Sequence, residues 1–249
     1  MANKILSTIV ILLTFTMVLS AQNAAAIIRK AEDKLRGSSN KGEMMMTIVR
    51  PDWTREVGIK SWALGTEYSL ILITDPARDK GSAFLKRKRE MWSWQPSIDR
   101  TIKMPPSMMM QSWMGSDFTN DDLVKESSIL TDYDHELLGS EKMQDRDCWK
   151  IELTAHDDAP VVWGKILLWV DKAESMQLRT EFYDEDDYLV NTMIGSDIKK
   201  LGGRWLPAKL EIIPAEEEGH KTVLQYISLD FDVDIKESFF SIQNMKRVR

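Results

Sequence analysis

Two hydrophobic periods divide the chain. Between Ala24 and Arg36, Ile27, Ala31 and Leu35 recur at i, i+4 and i+8 with Ile28 beside them, while Arg29, Lys30, Glu32 and Asp33 fall on the other side. This spacing predicts an amphipathic helix with one face turned to a core. Gly37 is placed to end it, and Ser38–Gly42 reads as a loop. From Glu43 onward the period is two. Val57 and Ile59 alternate with Glu56 and Lys60, and Trp149, Ile151 and Leu153 with Lys150, Glu152 and Thr154. In Val223–Ile235, Val223, Ile227, Leu229, Phe231 and Val233 face one way, and Ser228, Asp230, Asp232 and Asp234 the other. Tyr68–Thr74 is apolar on both faces, and runs similar to the alternating ones lie at Phe84–Trp94, Ile166–Val170, Leu178–Tyr183, Tyr188–Ile194 and Leu206–Ile213. Turn-forming residues separate several of them, at Asp184–Asp187, Gly202–Gly203 and Glu216–Gly219.

About ten strands therefore follow one helix, and many are apolar on one side only. The dry face of such a sheet must be covered, and a sheet this wide curls. A closed barrel, a sandwich and a curled half-barrel with helices across its concave face all satisfy the pattern. The helix at Ala24–Arg36 supplies one cover. Pro106–Met114, Met-rich after a Pro-Pro stop, is placed to supply a second, short one. No repeat or linker interrupts residues 22–249, which are expected to form a single domain.

The N-terminus changes the picture by adding an address. Lys4 precedes an uncharged apolar run, Ile5–Leu19, with Ser20 and Ala21 after it. The run is roughly 15 residues, short of the ~20 a spanning helix needs, and reads as a cleaved export signal over residues 1–21. No Cys lies near the cut, so the mature protein is expected to be exported, soluble and not lipidated; it is expected to be a monomer. Its single cysteine, Cys148 in CWKIEL, leaves no internal disulfide and reads as a small buried hydrophobe. Net charge is −6, and the basic residues are scattered, which argues against nucleic acid as a partner.

Catalytic motifs are missing: there is no HExxH, GxSxG, P-loop or dinucleotide fingerprint. His135, His156 and His220 stand far apart beside polar turns and read as surface residues. The acidic groups at Asp117/Asp121/Asp122 and Asp184–Asp187 lack the spacing of a calcium loop, and the second reads as a hairpin tip. Thr119 or Asn120 is placed to cap a short helix beginning at Asp121. Neither catalysis, a metal nor a cofactor is expected.

Apolar surface is abundant instead. Met44, Met45 and Met46 are consecutive in a strand and must point to both its faces. Met108, Met109 and Met110 lie in the Pro-flanked segment, near Met91, Trp92, Trp94, Met104, Trp113, Met114 and Phe118. Met packs flexibly, specifies a core poorly and suits a surface that accepts greasy ligands of varied shape.

The segment FLKRKREMWSWQPSIDRTIKMPPSMMMQSWMGSDFTNDDL resembles one shared by the LolA-like family of outer-membrane lipoprotein-sorting proteins. Trp92–Pro96, Arg100 and the Gly115–Thr119 block carry the resemblance, and the order of elements fits from about Met44 to the end. The resemblance implies a mainly β fold: a curled antiparallel sheet forming an open half-barrel, with N-terminal and inserted helices over its concave face. It also implies a periplasmic, non-enzymatic carrier that shields lipoprotein acyl chains or another envelope lipid on the way to the outer membrane. An inner-membrane transporter and an outer-membrane acceptor would be its partners. Met44, Met46, Met91, Trp92, Trp94, Met104, Met108, Met109, Met110, Trp113, Met114 and Phe118 are the candidate cavity and lid residues. The carriers that give the family its name latch the lid with an Arg in a basic-Pro element. Arg50-Pro51 is similar, but precedes a different strand, and that role is not carried over. The alternatives are a periplasmic accessory subunit of an inner-membrane transporter, using the aromatic–Met patch as a protein interface, a hydrolase, and a closed lipocalin-type barrel.

Overall fold

The computed structural model describes residues 24–122, 128–159 and 161–248; the export signal read from residues 1–21 lies outside them. Helix α1, residues 24–36, buries Ala24, Ile28 and Ala31 completely or nearly so. Gly37, at φ +62°, ends it with a backbone bond from its N–H to the Asp33 carbonyl. Arg204 Nη1 reaches back to the Asp33 and Lys34 carbonyls at 3.1 and 2.9 Å, placing a cation at the negative end of the helix. The expected loop after Gly37 is shorter than the sequence implies, because Ser39 already pairs with Leu64.

Thirteen strands follow in one antiparallel sheet. The first six are β1 (Ser39–Arg50), β2 (Trp53–Leu64), β3 (Tyr68–Asp75), β4 (Ala83–Arg87), β5 (Glu90–Gln95) and β6 (Arg100–Lys103). The rest are β7 (Tyr133–Met143), β8 (Arg146–Ala155), β9 (Lys165–Asp171), β10 (Gln177–Tyr183), β11 (Leu189–Leu201), β12 (Arg204–Pro214) and β13 (Lys221–Phe231). Their spatial order is β6-β5-β4-β3-β2-β1-β13-β12-β11-β10-β9-β8-β7. The first and last strands thus pair at the centre, and two meanders run outward from them. The sheet does not close into a barrel: it is an open, curled half-barrel whose free edges are β6 and β7.

Those two edges are consecutive in sequence. The chain that leaves β6 toward β7 lies over the concave side in its described part, residues 104–122.

Three sequence expectations change on this frame. Phe84–Trp94 is a hairpin, β4 and β5, because Lys88 adopts φ +55° and turns the chain. Pro106–Met114 is not a second regular helix: only Pro106–Met108 forms a 3-10 turn. Met114 and Gly115 then take positive φ, and the carbonyls of Met108 and Gln111 are satisfied by the Asn120 side-chain amide, at 2.9 and 3.1 Å. Finally, the odd-position rule fails in β13. A bulge between Glu43 and Met44 of β1 skips Ile227, so Tyr226 and Leu229 point inward while Ile227 is exposed.

The sheet is dry on both faces over much of its area. On the concave side, Met46, Ile48, Val57, Ile59, Ile73 and Phe84 form the core under the 104–122 segment. On the convex side, Leu70, Leu72, Leu85 and Trp94 pack beneath a short C-terminal helix, α2 (Ile242–Met245), and the residues before it, with Phe240 fully buried. Cys148 is fully buried, in a convex cluster with Leu167 and Trp169. Among the described residues, no helix is long and apolar enough to cross a membrane.

Candidate lipid-binding cavity and its roof

Alternation decides which Met residues reach the concave side. In β1, Met44 and Met46 point inward opposite Ile59 and Val57, and Met45 points out opposite Gly58. In β5, Met91 points inward, while Trp92 and Trp94 face the convex side. There Trp94 joins the Phe240 cluster and lies under Lys246, whose Nζ is 4.6 Å from the ring centroid. The two tryptophans are thereby separated by the thickness of the sheet from the residues they neighbour in sequence.

The crossing segment presses Met108, Met109, Met114 and Phe118 onto the concave core, which also holds Met104 and Trp113. Met110 alone of this group is well exposed, at 67%. Trp113 meets Phe84 edge to face, with ring centroids 5.5 Å apart. Its main chain is held in a tight loop: Trp113 N–H donates to the Phe118 carbonyl at 2.7 Å, and Ser112 and Thr119 form a β-bridge.

The loop is fastened to the sheet at one corner. Arg50 Nη2 donates to the Gly115 carbonyl at 2.8 Å and to Asp117 Oδ1 at 3.0 Å, and Nη1 lies 3.2 Å from Oδ2. Thr222 of β13 adds its hydroxyl to Asp117 Oδ2 at 2.7 Å and accepts from the Asp117 N–H at 3.0 Å. Arg55 Nη1 reaches the Met114 carbonyl at 3.3 Å. The latch role is not carried over to Arg50 from the sequence, because Arg50-Pro51 precedes a different strand; its partner Asp117 lies 67 residues away in the sequence. The expected cap is also visible: Asp122 N–H donates to Thr119 Oγ1 at 3.1 Å, and Thr119 N–H to Asp122 Oδ2 at 2.7 Å. The helix expected after it falls mostly on residues 123–127, outside the described residues.

Between α1 and this roof lies a cavity of about 310 Å³, within the range of small-molecule pockets. Its floor is Met44, Ile59 and Ile71 on one side and Ile166, Leu168, Phe182 and Leu210 on the other, with Leu224 and Tyr226 between. Trp113 and Phe118 contribute from the roof. Of the sequence candidates, Met44, Trp113 and Phe118 line the space. Met46, Met91, Met104, Met108, Met109 and Met114 lie in or against the core beside it. The far wall, with Trp163 and Phe182 at 5.2 Å between centroids, had no signal beyond ordinary strand alternation.

A few polar groups interrupt the apolar wall. Glu32 on α1 accepts from Arg36 Nη2 at 3.0 Å and from Gln177 Nε2 at 2.9 Å. Tyr133 donates to the Trp163 carbonyl at 2.9 Å, and burial together with nearby Asp121 raises its pKa. Burial pushes the Asp122 carboxyl above the usual carboxylate range, against the pull of hydrogen bonds from Thr119 and Trp163. Among the described residues, no three His, Cys, Asp or Glu side chains gather as metal ligands. Of the histidines, His156 is exposed, and His135 and His220 are half-buried.

A family model described as an uncharacterized protein matches residues 65–247. Three solved structures share the fold over most of both chains. A DUF1329 family protein from Desulfovibrio piger is 23% identical, with a TM-score of 0.83, covering 91% of this chain and 99% of that one. A putative outer membrane lipoprotein-sorting protein domain from Vibrio parahaemolyticus is 21% identical, with a TM-score of 0.81, covering 91% and 100%. A LolA superfamily protein from Nitrosomonas europaea is 26% identical, with a TM-score of 0.74, covering 88% and 98%. No curated protein matches the chain.

Proposed function

The chain belongs to the family of uncharacterized proteins whose model matches residues 65–247, and from that premise, together with the fold it shares with a LolA superfamily protein, we propose that it is a LolA-like, periplasmic, non-enzymatic carrier of acyl chains. The roofed apolar cavity between α1 and the 104–122 segment is the observation that carries this reading. Its cargo is a lipoprotein's acyl chains or another envelope lipid. The proposed location rests on the export signal read in residues 1–21, and the non-enzymatic reading on the absence of a catalytic motif from the sequence and on a cavity wall that is mostly apolar.

The physical logic is transfer from water. Each buried CH₂ gains ~0.8 kcal/mol, so about ten methylenes gain on the order of 8 kcal/mol before the cost of ordering the chain. Such binding makes few geometric demands, and the thioethers of the Met residues around the cavity adapt to its shape. Loading and release need the roof to move. The roof is tied to β1, β2 and β13 by hydrogen bonds from Arg50, Arg55 and Thr222. A membrane transporter that loads the cavity and an acceptor with a better apolar site are the partners this implies.

The test is native mass spectrometry of protein purified from periplasmic extract. A bound mass in the lipid range, lost on organic extraction, is expected. Protein that carries no lipid, and that binds no uncharged fluorescent alkyl probe after extraction, would overturn the reading.

A further inference from the structure

Resting on the carrier reading, we propose that the cavity selects an uncharged amphiphile whose polar part accepts hydrogen bonds, an acyl ester or amide, over one that bears a free carboxylate. Two buried side chains point to this. Trp113 on the roof and Thr180 on the β10 floor line the cavity and are each 3% exposed, and Trp113 Nε1 and Thr180 Oγ1 are buried with no hydrogen-bond partner. Three neighbouring polar side chains are satisfied: Tyr133 by the Trp163 carbonyl, Gln177 by Glu32, Asn120 by two carbonyls of the roof. A buried donor without an acceptor is disfavoured, and an indole N–H can only donate. The group missing at Trp113 is therefore an acceptor. A plain hydrocarbon chain leaves it unmet; an ester or amide carbonyl supplies it.

Charge decides which kind of acceptor. Among the described residues, Glu32, Asp121 and Asp122 line the cavity, and the cation beside them is Arg36, whose Nε and Nη2 already lie 3.0 Å from Glu32. A ligand carboxylate would enter a low-dielectric space that already holds three carboxyl groups, and repulsion there is strong. The same surroundings raise the pKa of Asp122 itself, so they resist ionisation of an acid. An ester or amide carbonyl meets the orphaned donors without adding charge.

The experiment compares three probes of equal chain length on extracted, full-length protein at neutral pH: monolauroylglycerol, laurate and dodecylamine. Binding is read by calorimetry below each probe's micelle concentration. Monolauroylglycerol is expected to bind at least about tenfold more tightly than laurate, the effect of one well-placed interaction. W113F is expected to weaken the ester about three- to tenfold and leave laurate unchanged. T180V, nearly isosteric, gives the same comparison should W113F fail to fold. Replacing Asp121 and Asp122 together with Asn is expected to raise laurate affinity. Laurate binding as tightly as the ester, dodecylamine binding most tightly, or both single variants leaving the ester unchanged would overturn this selectivity while leaving the carrier reading standing. No binding of any probe would count against the carrier reading itself.

Discussion

Arg50 and Asp117 meet in a two-pronged ion pair, Nη2 to Oδ1 at 3.0 Å and Nη1 to Oδ2 at 3.2 Å, that fastens the roof of the cavity to β1, next to the central strand of the sheet. Both side chains are largely buried, 12% and 5% exposed. Removing either leaves the other charged in a poorly solvated place. R50A and D117A are each expected to destabilise the protein by about 3 to 5 kcal/mol in urea unfolding. The double variant should lose much less than the sum, because the second change removes the stranded charge. Additive losses would mean that the two residues act separately.

Met44 borders the cavity, whereas Ile48 lies in the packed core of the same strand. M44W should fill the space and reduce binding of an uncharged alkyl probe at least about tenfold, with a melting-temperature change under about 4 °C. I48A should show the reverse, costing about 2 to 5 kcal/mol with a modest effect on the probe. Unchanged probe binding in M44W would place the ligand elsewhere.

Trp94 and Phe240 share the convex cluster, out of reach of the cavity. W94A and F240A are each expected to cost about 3 to 5 kcal/mol through loss of buried surface, with probe affinity at low temperature unaltered. A selective loss of binding in W94A, with stability kept, would reassign this residue to the ligand.

Asp122 gives a pH signature. Its carboxyl pKa is raised in the fold by burial, so folding favours the protonated form. The stability it contributes is fully present below the unfolded carboxyl value and is lost as pH rises through the raised folded value. D122N should therefore melt higher than the parent at pH 8, and the difference should shrink as pH falls toward 3. A difference that grows on acidification would show that the fold favours the anion.

How much of this was legible in the chain differs from element to element. Helix α1 and its stop at Gly37 were readable, because a 3.6-residue period and a left-handed glycine are local events. The tip at Asp184–Asp187 was readable for the same reason. Ile227 was not: β13 obeys strict alternation until a bulge, created by its pairing with β1, turns this residue outward. The roof was legible as an unusual apolar segment but not as an irregular loop, since its carbonyls are satisfied by Asn120 from outside the 106–114 run.

The sequence by itself determined which residues share a face: Met44 with Met46, Trp92 with Trp94, Ile151 with Leu153. It also determined that a wide one-sided sheet would need covering. Only the tertiary structure decided which face is concave. A period of two is the same whether a side chain points into a cavity or out beneath a C-terminal segment, and here both faces of the sheet are dry. Met91 and Trp92, adjacent in the chain, therefore end on opposite sides. Strand order decided the rest. With β1 and β13 paired at the centre, β6 and β7 become the two lips, and the described part of the chain that follows β6, residues 104–122, lies over the concave side. No local preference of residues 104–122 encodes their place over the concave face; it follows from long-range pairing, and it turns a Met-rich connection into the roof of a cavity.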